Sequence, residues 1–121
     1  MKTNLERAYN IIFGEVYPHY ISKAQRKSAK VEDIDTIICW LTGYDPAGLH
    51  EQIATGVTME RFFSQAPAIN PLAKNMTGSI CGYKVQEITD PIYQQMRWMD
   101  KLVDEVAKGK SLDKIIGKME K

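Results

Sequence analysis

Residues 37–45 read Ile-Ile-Cys-Trp-Leu-Thr-Gly-Tyr-Asp and contain the longest uninterrupted apolar run of the chain, Ile37 to Leu41. Because successive residues of an α-helix are turned by roughly 100°, a run of this length points to every side of the helix. A helix that is apolar on all sides has to be covered on all sides, by its own domain or by another subunit. We therefore predict that a helix over residues 31–42 is the centre of the fold.

Signals for helix ends stand on both sides of the turn that follows this helix. Gly43 comes directly after the predicted helix, and glycine adopts the left-handed conformation that ends many helices with the least strain. Asp45 and Pro46 then form a typical helix start, with aspartate as N-cap and proline at the first helical position. The next helix is predicted to run from Pro46 to Gly56.

The rest of the chain also favours helices. Thr3 and Glu6 form a capping box, and Pro18 is predicted to begin a second helix that runs to about Lys27. The further predicted N-caps are Thr58, Asp90 and Ser111. We predict an all-α, compact single domain over residues 1–121, with about six helices around the central one.

Residues 64–90 are harder to assign, because proline and glycine interrupt them repeatedly. Ile80, Cys81 and Val85 fall on one side of a helix. Cys81, Tyr83 and Val85 also alternate, as residues on one face of a strand do. We favour a short helix or irregular coil for this segment, and a small hairpin is the alternative.

The composition is that of an ordinary globular domain. The chain is 44% hydrophobic and 26% charged with a net charge of +1, so no overall field attracts nucleic acid or anionic lipid. Its longest apolar run is far shorter than the roughly 20 residues that span a bilayer, and residues 1–17 lack the features of a signal peptide. Cys39 and Cys81 are interpreted as free, mostly buried thiols. These observations predict a cytoplasmic protein without a membrane segment.

The sequence contains no motif of a known reaction or metal site. The soft metal ligands of the chain are His19, Cys39, His50 and Cys81. None of them stands at the spacing of a zinc site. Gly109-Lys110-Ser111 resembles the end of a phosphate-binding loop, but Asp104 stands where that motif needs its first glycine. We therefore predict no metal, no cofactor and no catalytic residue.

Two basic stretches are the main charge features. Residues 23–30 hold four positive charges and no negative one, and residues 108–121 hold five lysines against two acidic residues. Neither stretch has the interleaved aromatic residues on which bases stack. The predicted helix from Pro46 carries no lysine or arginine, so we do not expect it to read DNA. Nucleic-acid binding is therefore unfavoured, although both stretches could meet a phosphorylated ligand.

The feature most like a site is a group of aromatic residues on neighbouring helices or at their joints. Tyrosine and tryptophan have polar tips that need partners when buried, so such a group can line a small pocket or simply form a core. Charged residues and the glycine-rich segment 77–83 could complete a pocket. The candidate ligand-binding residues are Tyr17, Tyr20, Arg26, Trp40, Tyr44, Asp45 and Cys81.

The stretch from Cys39 to Asp45 resembles a family of small bacterial proteins, domain of unknown function 2200. Further similar stretches are Tyr17-Pro18, Arg26-Lys27, Asn70-Pro71, Thr77-Gly78, Cys81-Gly82 and Asp90-Pro91. The resemblance implies a compact cytoplasmic bacterial protein, and it brings no activity, substrate or catalytic residue. Family members tend to place glycine after the Arg-Lys pair, where this chain has Ser28.

Three functional hypotheses follow. The leading one is a non-catalytic binding or interaction module that forms homo-oligomers, because the central helix carries more apolar surface than one face needs. The first alternative is a small enzyme or ligand sensor with an aromatic pocket near Trp40 and Tyr44. The second alternative is phosphate or nucleic-acid binding through the lysine-rich helix ends.

Overall fold

The computed structural model describes residues 3–120, which form seven α-helices and one small hairpin. Lys121, which belongs to the basic C-terminal stretch, lies outside the described residues. Within this range no helix combines the length and the apolarity that crossing a bilayer requires. The helices are α1 (Asn4–Tyr9), α2 (Phe13–Arg26), α3 (Val31–Thr42), α4 (Pro46–Ala54), α5 (Met59–Ser64), α6 (Pro91–Ala107) and α7 (Leu112–Gly117), the strands are β1 (Ser79–Ile80) and β2 (Tyr83–Lys84), and short 3₁₀ helices span Pro71–Asn75 and Val85–Glu87.

The predicted central helix is confirmed as α3, which packs against α2, α4 and α6. Gly43 ends it with φ 81°, and the Gly43 N–H donates to the Cys39 carbonyl at 2.9 Å. Cys39 and Trp40 are half-buried, so the domain covers most of this helix but not all of it. The α3 side chains that are buried in the core are Ile34, Ile37, Ile38 and Leu41.

The predicted N-caps are also confirmed. Each of the five side chains accepts a hydrogen bond from a backbone N–H of the first helical turn. A cap of this kind typically contributes about 1 kcal/mol, and it needs only residues two or three positions apart. The capping residues are Thr3, Asp45, Thr58, Asp90 and Ser111.

The prediction for Pro18 is wrong, because α2 begins at Phe13 and Pro18 lies inside it. Proline there removes the hydrogen bond that an N–H would give to the Gly14 carbonyl. Long-range pairing sets the earlier start. The Phe13 N–H donates to the Val57 carbonyl at 2.9 Å, and Ile12 forms a β-bridge with Thr58. The buried Phe13 ring then anchors the first turn in the core.

For residues 64–90 we favoured a short helix or irregular coil. The structure has two short 3₁₀ helices there, and it also has a two-stranded hairpin between them. Cys81 and Gly82 form its two-residue turn with φ values of 52° and 82°. Positive φ at both central residues is the geometry of the tight turn that matches the twist of paired strands. The Val85 N–H closes the hairpin on the Gly78 carbonyl at 3.0 Å. The small hairpin that was the alternative is therefore present.

The end of α2 has an unusual backbone. Ser28, two residues beyond the helix, adopts φ 57° in the left-handed region. A residue other than glycine is strained there by roughly 1–2 kcal/mol. A glycine at this position would adopt the same conformation without that strain.

Candidate functional site

The exposed apolar side chains gather between α1, the hairpin and α6. Within residues 3–120, the large hydrophobic residues that are exposed are Leu5 at 40%, Ile11 at 41% and Tyr83 at 46%. They border two adjoining cavities of about 510 and 490 Å³, and Tyr83 and Tyr93 line both. We name the surface formed by Leu5, Ile11, Tyr83, Tyr93 and Arg97 the tyrosine–arginine face.

Helix periodicity and the hairpin turn together build this face. Tyr93, Arg97 and Asp100 are four and three residues apart along α6, so they lie on one side of that helix. The Cys81-Gly82 turn brings Tyr83 across to Tyr93. The two rings meet edge to face, with centroids 5.8 Å apart and planes at 83°. This is a favoured geometry for an aromatic pair.

Arg97 is held by both tyrosines and by a carboxylate. Its Cζ lies 5.0 Å from the Tyr83 ring centroid and 5.2 Å from that of Tyr93. Its Nε and Nη2 donate to the Tyr93 hydroxyl at 3.1 and 2.9 Å, and its Nη1 donates to Asp100 Oδ2 at 3.1 Å. Cation–π attraction and a charge-assisted hydrogen bond therefore fix the guanidinium in one orientation.

Beneath Arg97, the carboxylate of Asp100 is shared with a buried phenol. The hydroxyl of the buried Tyr20 donates to Asp100 Oδ1. Burial, then the charge of Asp100, raises the pKa of Tyr20 well above its ordinary value. Burial also raises the pKa of Asp100, although Tyr20 and Arg97 oppose that shift. Removing Arg97 would leave a partly desolvated carboxylate without its paired cation, so the ion pair favours this orientation of Arg97.

This arrangement combines residue types that are common in binding surfaces. Tyrosine and arginine dominate the energy of protein interfaces, because they bury much area while keeping polar tips. The thiol nearest in sequence is Cys81, which is exposed at the hairpin turn. Throughout residues 3–120 there is no group of three or more His, Cys, Asp or Glu side chains that could hold a metal ion.

Comparison with known proteins places the chain in a family. Residues 7–117 match the model of DUF2200, described as uncharacterized proteins conserved in bacteria. The chain belongs to this family. The crystal structure of the uncharacterized protein SP1917 is similar to it, with 41% sequence identity, a TM-score of 0.89, and 95% of this chain and 94% of that chain covered. Among curated proteins, none matches the chain. These similarities support the fold and supply no activity.

In this DUF2200 protein, two of the seven predicted site residues lie next to the tyrosine–arginine face. Tyr20 reaches it from below through Asp100. Cys81 stands in the turn immediately before Tyr83. Cys81 is free, as predicted, but the prediction that it is mostly buried is wrong, because a tight turn leaves its side chain outside the core.

Three other predicted residues lie elsewhere on the DUF2200 domain. Tyr17 donates its hydroxyl to Asp35 Oδ1, and His50 Nε2 lies 2.7 Å from the other oxygen of that carboxylate. Burial, then the hydrogen bond to Asp35, raises the pKa of Tyr17 well above its ordinary value. Arg26 is exposed at the last residue of α2, and Trp40 is half-buried on α3.

The remaining two predicted residues have structural partners. The Tyr44 hydroxyl donates to the Phe62 carbonyl at 2.7 Å, and the two rings stack with centroids 5.0 Å apart. Asp45 Oδ1 accepts from the Gly48 N–H at 2.6 Å as the cap of α4. The structure therefore does not bring the seven residues into one pocket near Trp40. A ligand-binding role for any of them stays a prediction.

The sequence analysis missed Tyr83, Tyr93 and Arg97 of the face, and also Asp100 beneath it. Tyr93, Arg97 and Asp100 stand on α6 outside its apolar stripe, where side chains are usually only solvated. Their spacing on one side of the helix is a signal that could have grouped them. The two-residue turn at Cys81-Gly82 is the signal that could have placed Tyr83, since a glycine in such a turn is typical of hairpins.

Proposed function

We propose that this DUF2200 protein is a non-catalytic interaction module that self-associates through the tyrosine–arginine face. The observation that carries the proposal is the gathering of Leu5, Ile11 and Tyr83 around two adjoining cavities. Exposed hydrophobic residues are ordinary when they are scattered, whereas a contiguous group is typical of an interaction site. Arg97, preorganised by its tyrosine and carboxylate partners, adds a rigid anchor of the type that dominates interfaces.

The charges around the face favour a second copy of the same chain as the partner. A two-fold dimer places one patch against itself, so the patch has to carry both signs of charge. Arg7 and Lys84 border the cavities together with Glu87 and Asp90. The net charge of the chain is only +1, so two copies repel each other weakly.

We also propose that the protein is cytoplasmic. Cys39 and Cys81 are free thiols, and Cys81 is exposed. Exposed free thiols are typical of compartments that keep cysteines reduced.

Size-exclusion chromatography with light scattering tests the proposal. We expect the wild-type protein to reach twice the 13.8 kDa mass of one chain as its concentration rises. The variants Ile11→Lys and Tyr83→Ser should stay monomeric at the same concentrations. Both side chains are exposed, so circular dichroism should show unchanged helix content in each variant.

Trp40→Gln is the matched control, because it alters a half-buried aromatic residue on α3, away from the face. It should dimerise as the wild type does. A wild-type protein that is monomeric at every concentration would overturn the proposal. Dissociation of Trp40→Gln while Ile11→Lys still dimerises would also overturn it, since the interface would then lie on the central helix.

A further inference from the structure

A separate, polar cavity lies between α6, α7 and residues 75–77. It has a volume of about 270 Å³ and shares no lining residue with the cavities of the tyrosine–arginine face. Three lysines and one glutamate line it, so its formal charge is +2. These residues are Lys101, Lys110, Lys118 and Glu105.

The single carboxylate of the cavity pairs mainly with one of these lysines. Glu105 is buried, and its Oε1 lies 3.1 Å from Lys110 Nζ but 3.9 Å from Lys118 Nζ. The hydrogen bond to Glu105 raises the pKa of Lys110. The neighbouring Lys110 ammonium lowers the pKa of Lys118 and the charge of Lys101 acts in the same direction, while the charge of Glu105 opposes them. Lys118 therefore shares its carboxylate partner with Lys110 and lies at the longer of the two distances from it.

The end of the third lysine, Lys101, lies against a glycine. A Cβ atom on Gly78 would lie 2.9 Å from Lys101 Cε and 3.1 Å from Lys101 Nζ. A side chain on residue 78 would require the end of Lys101 to move away from this position. Gly78 also has φ 115°, a conformation that other residues rarely adopt. The backbone thus leaves room for Lys101 at the wall of the cavity.

We propose that this cavity binds a phosphate-type oxyanion, either inorganic phosphate or the phosphoryl group of a small ligand. A phosphate monoester carries a charge of roughly −1.5 to −2 at neutral pH, which matches the +2 of the lining residues. The volume lies below the range of about 300–1,000 Å³ for larger ligands, so it suits a small anion. Binding would replace repulsion between Lys110 and Lys118 with attraction of both to the anion.

Isothermal titration with inorganic phosphate, at ionic strength held constant with chloride, tests this inference. We expect saturable binding to the wild-type protein. Lys101→Gln and Lys118→Gln should each weaken it about tenfold, since each removes one charge-assisted contact. Lys114→Gln is the matched control, because Lys114 is an exposed lysine of α7 that does not line the cavity. It should bind as the wild type does.

Glu105→Gln should change the phosphate affinity in the opposite direction, because it removes the competing carboxylate from the cavity. This variant should bind phosphate more tightly than the wild type. If it does not fold, the lysine variants still decide the question, since Lys118 is largely exposed and its loss removes no core packing. Ile11→Lys should retain phosphate binding, because Ile11 does not line this cavity. The two proposals can therefore fail independently of each other.

The outcome also distinguishes the two sources of the anion. Tighter binding of phenyl phosphate than of inorganic phosphate would indicate a ligand-borne phosphoryl group, and the reverse order would indicate the free ion. No binding to the wild type would overturn the inference. Equal losses in Lys114→Gln and Lys118→Gln, for phosphate or for RNA, would also overturn it, because they indicate a diffuse basic surface.

Discussion

Two aromatic clusters of this protein differ in what their polar tips contact. In the core, Phe13 stacks on Phe62 with centroids 3.9 Å apart, and Tyr44 donates to the Phe62 carbonyl. On the tyrosine–arginine face, Tyr83 and Tyr93 surround the guanidinium of Arg97. In the core cluster the tyrosine hydroxyl is hydrogen-bonded to the backbone. In the surface cluster the tyrosine rings contact a charged side chain and border cavities.

This difference indicates how similar residues acquire different roles. A buried tyrosine hydroxyl that donates to a backbone carbonyl has no proton left to donate to a ligand, and its ring contributes packing energy. Aromatic rings beside a fixed arginine keep exposed area and a preorganised charge, so their burial energy remains available for a partner. The core cluster should therefore determine stability, and the surface cluster should determine association.

The largest effect is expected in the core cluster. Phe62→Ala removes a ring that is fully buried and stacks with the rings of both Phe13 and Tyr44. It should lower the free energy of unfolding by about 3–5 kcal/mol, which urea denaturation measures. A loss below about 1 kcal/mol would show that the ring is not packed as described, and the comparison would fail.

Two glycines test how tightly the core packs around the backbone. A Cβ on Gly43 would lie 2.7 Å from the backbone nitrogen of Ala68, whereas a Cβ on Gly56 would meet nothing within 4 Å. Both glycines have positive φ, 81° and 69°. Gly43→Ala should therefore cost about 2–4 kcal/mol, from strain and overpacking together, and Gly56→Ala about 1–2 kcal/mol from strain alone. Equal losses in urea denaturation would contradict the close approach at Gly43.

Tyr20 joins the core to the base of the face. Tyr20→Phe removes the phenol that donates to the buried side of Asp100. The desolvated carboxylate then loses a donor, so the free energy of unfolding should fall by about 1–3 kcal/mol near neutral pH. Thermal or urea unfolding of the variant beside the wild type measures this loss.

The same phenol predicts an alkaline dependence. The pKa of Tyr20 is raised in the folded protein, and the hydrogen bond to Asp90 raises that of Tyr9 to about 12. Above about pH 10 the unfolded chain releases these protons while the folded chain keeps them, so stability should fall as pH rises. In urea unfolding at increasing pH, the free energy of unfolding of Tyr20→Phe should fall less steeply than that of the wild type. An equal slope would mean that Tyr20 titrates normally.

The smallest effect on stability is expected on the exposed side of the face. Tyr83→Ala removes an edge-to-face contact and a cation–π contact that are both open to solvent. The free energy of unfolding should change by only about 1 kcal/mol, although we expect association to be lost. A loss as large as that of Phe62→Ala would remove the contrast between the two clusters.

Local signals explain which parts of the fold could be predicted. Caps such as Asp45 and Asp90 act on backbone groups three residues away, and the cap at Gly43 acts within one turn. The apolar run of α3 required cover on most sides in any packing. Pro18 was misassigned because the start of α2 depends on hydrogen bonds to residues 57–59, which are distant in sequence.

The candidate site was less predictable than the helices. Tyr20 and Cys81 were chosen, but Tyr83, Tyr93 and Arg97 were not. The sequence does not show whether a tyrosine hydroxyl is hydrogen-bonded to a backbone carbonyl or to an arginine. The helix spacing of Tyr93 and Arg97 groups them, yet it does not show that a hairpin will cross above them.

By itself, the sequence determined the helical class, the central position of α3 and most helix ends, because these depend on neighbours within one or two turns. Only the tertiary structure decided which tyrosines are closed in the core and which surround Arg97. It also decided that Lys101, Lys110 and Lys118 share one cavity. The physical reason is that a side chain's partners are set by packing between distant segments, which no local pattern encodes.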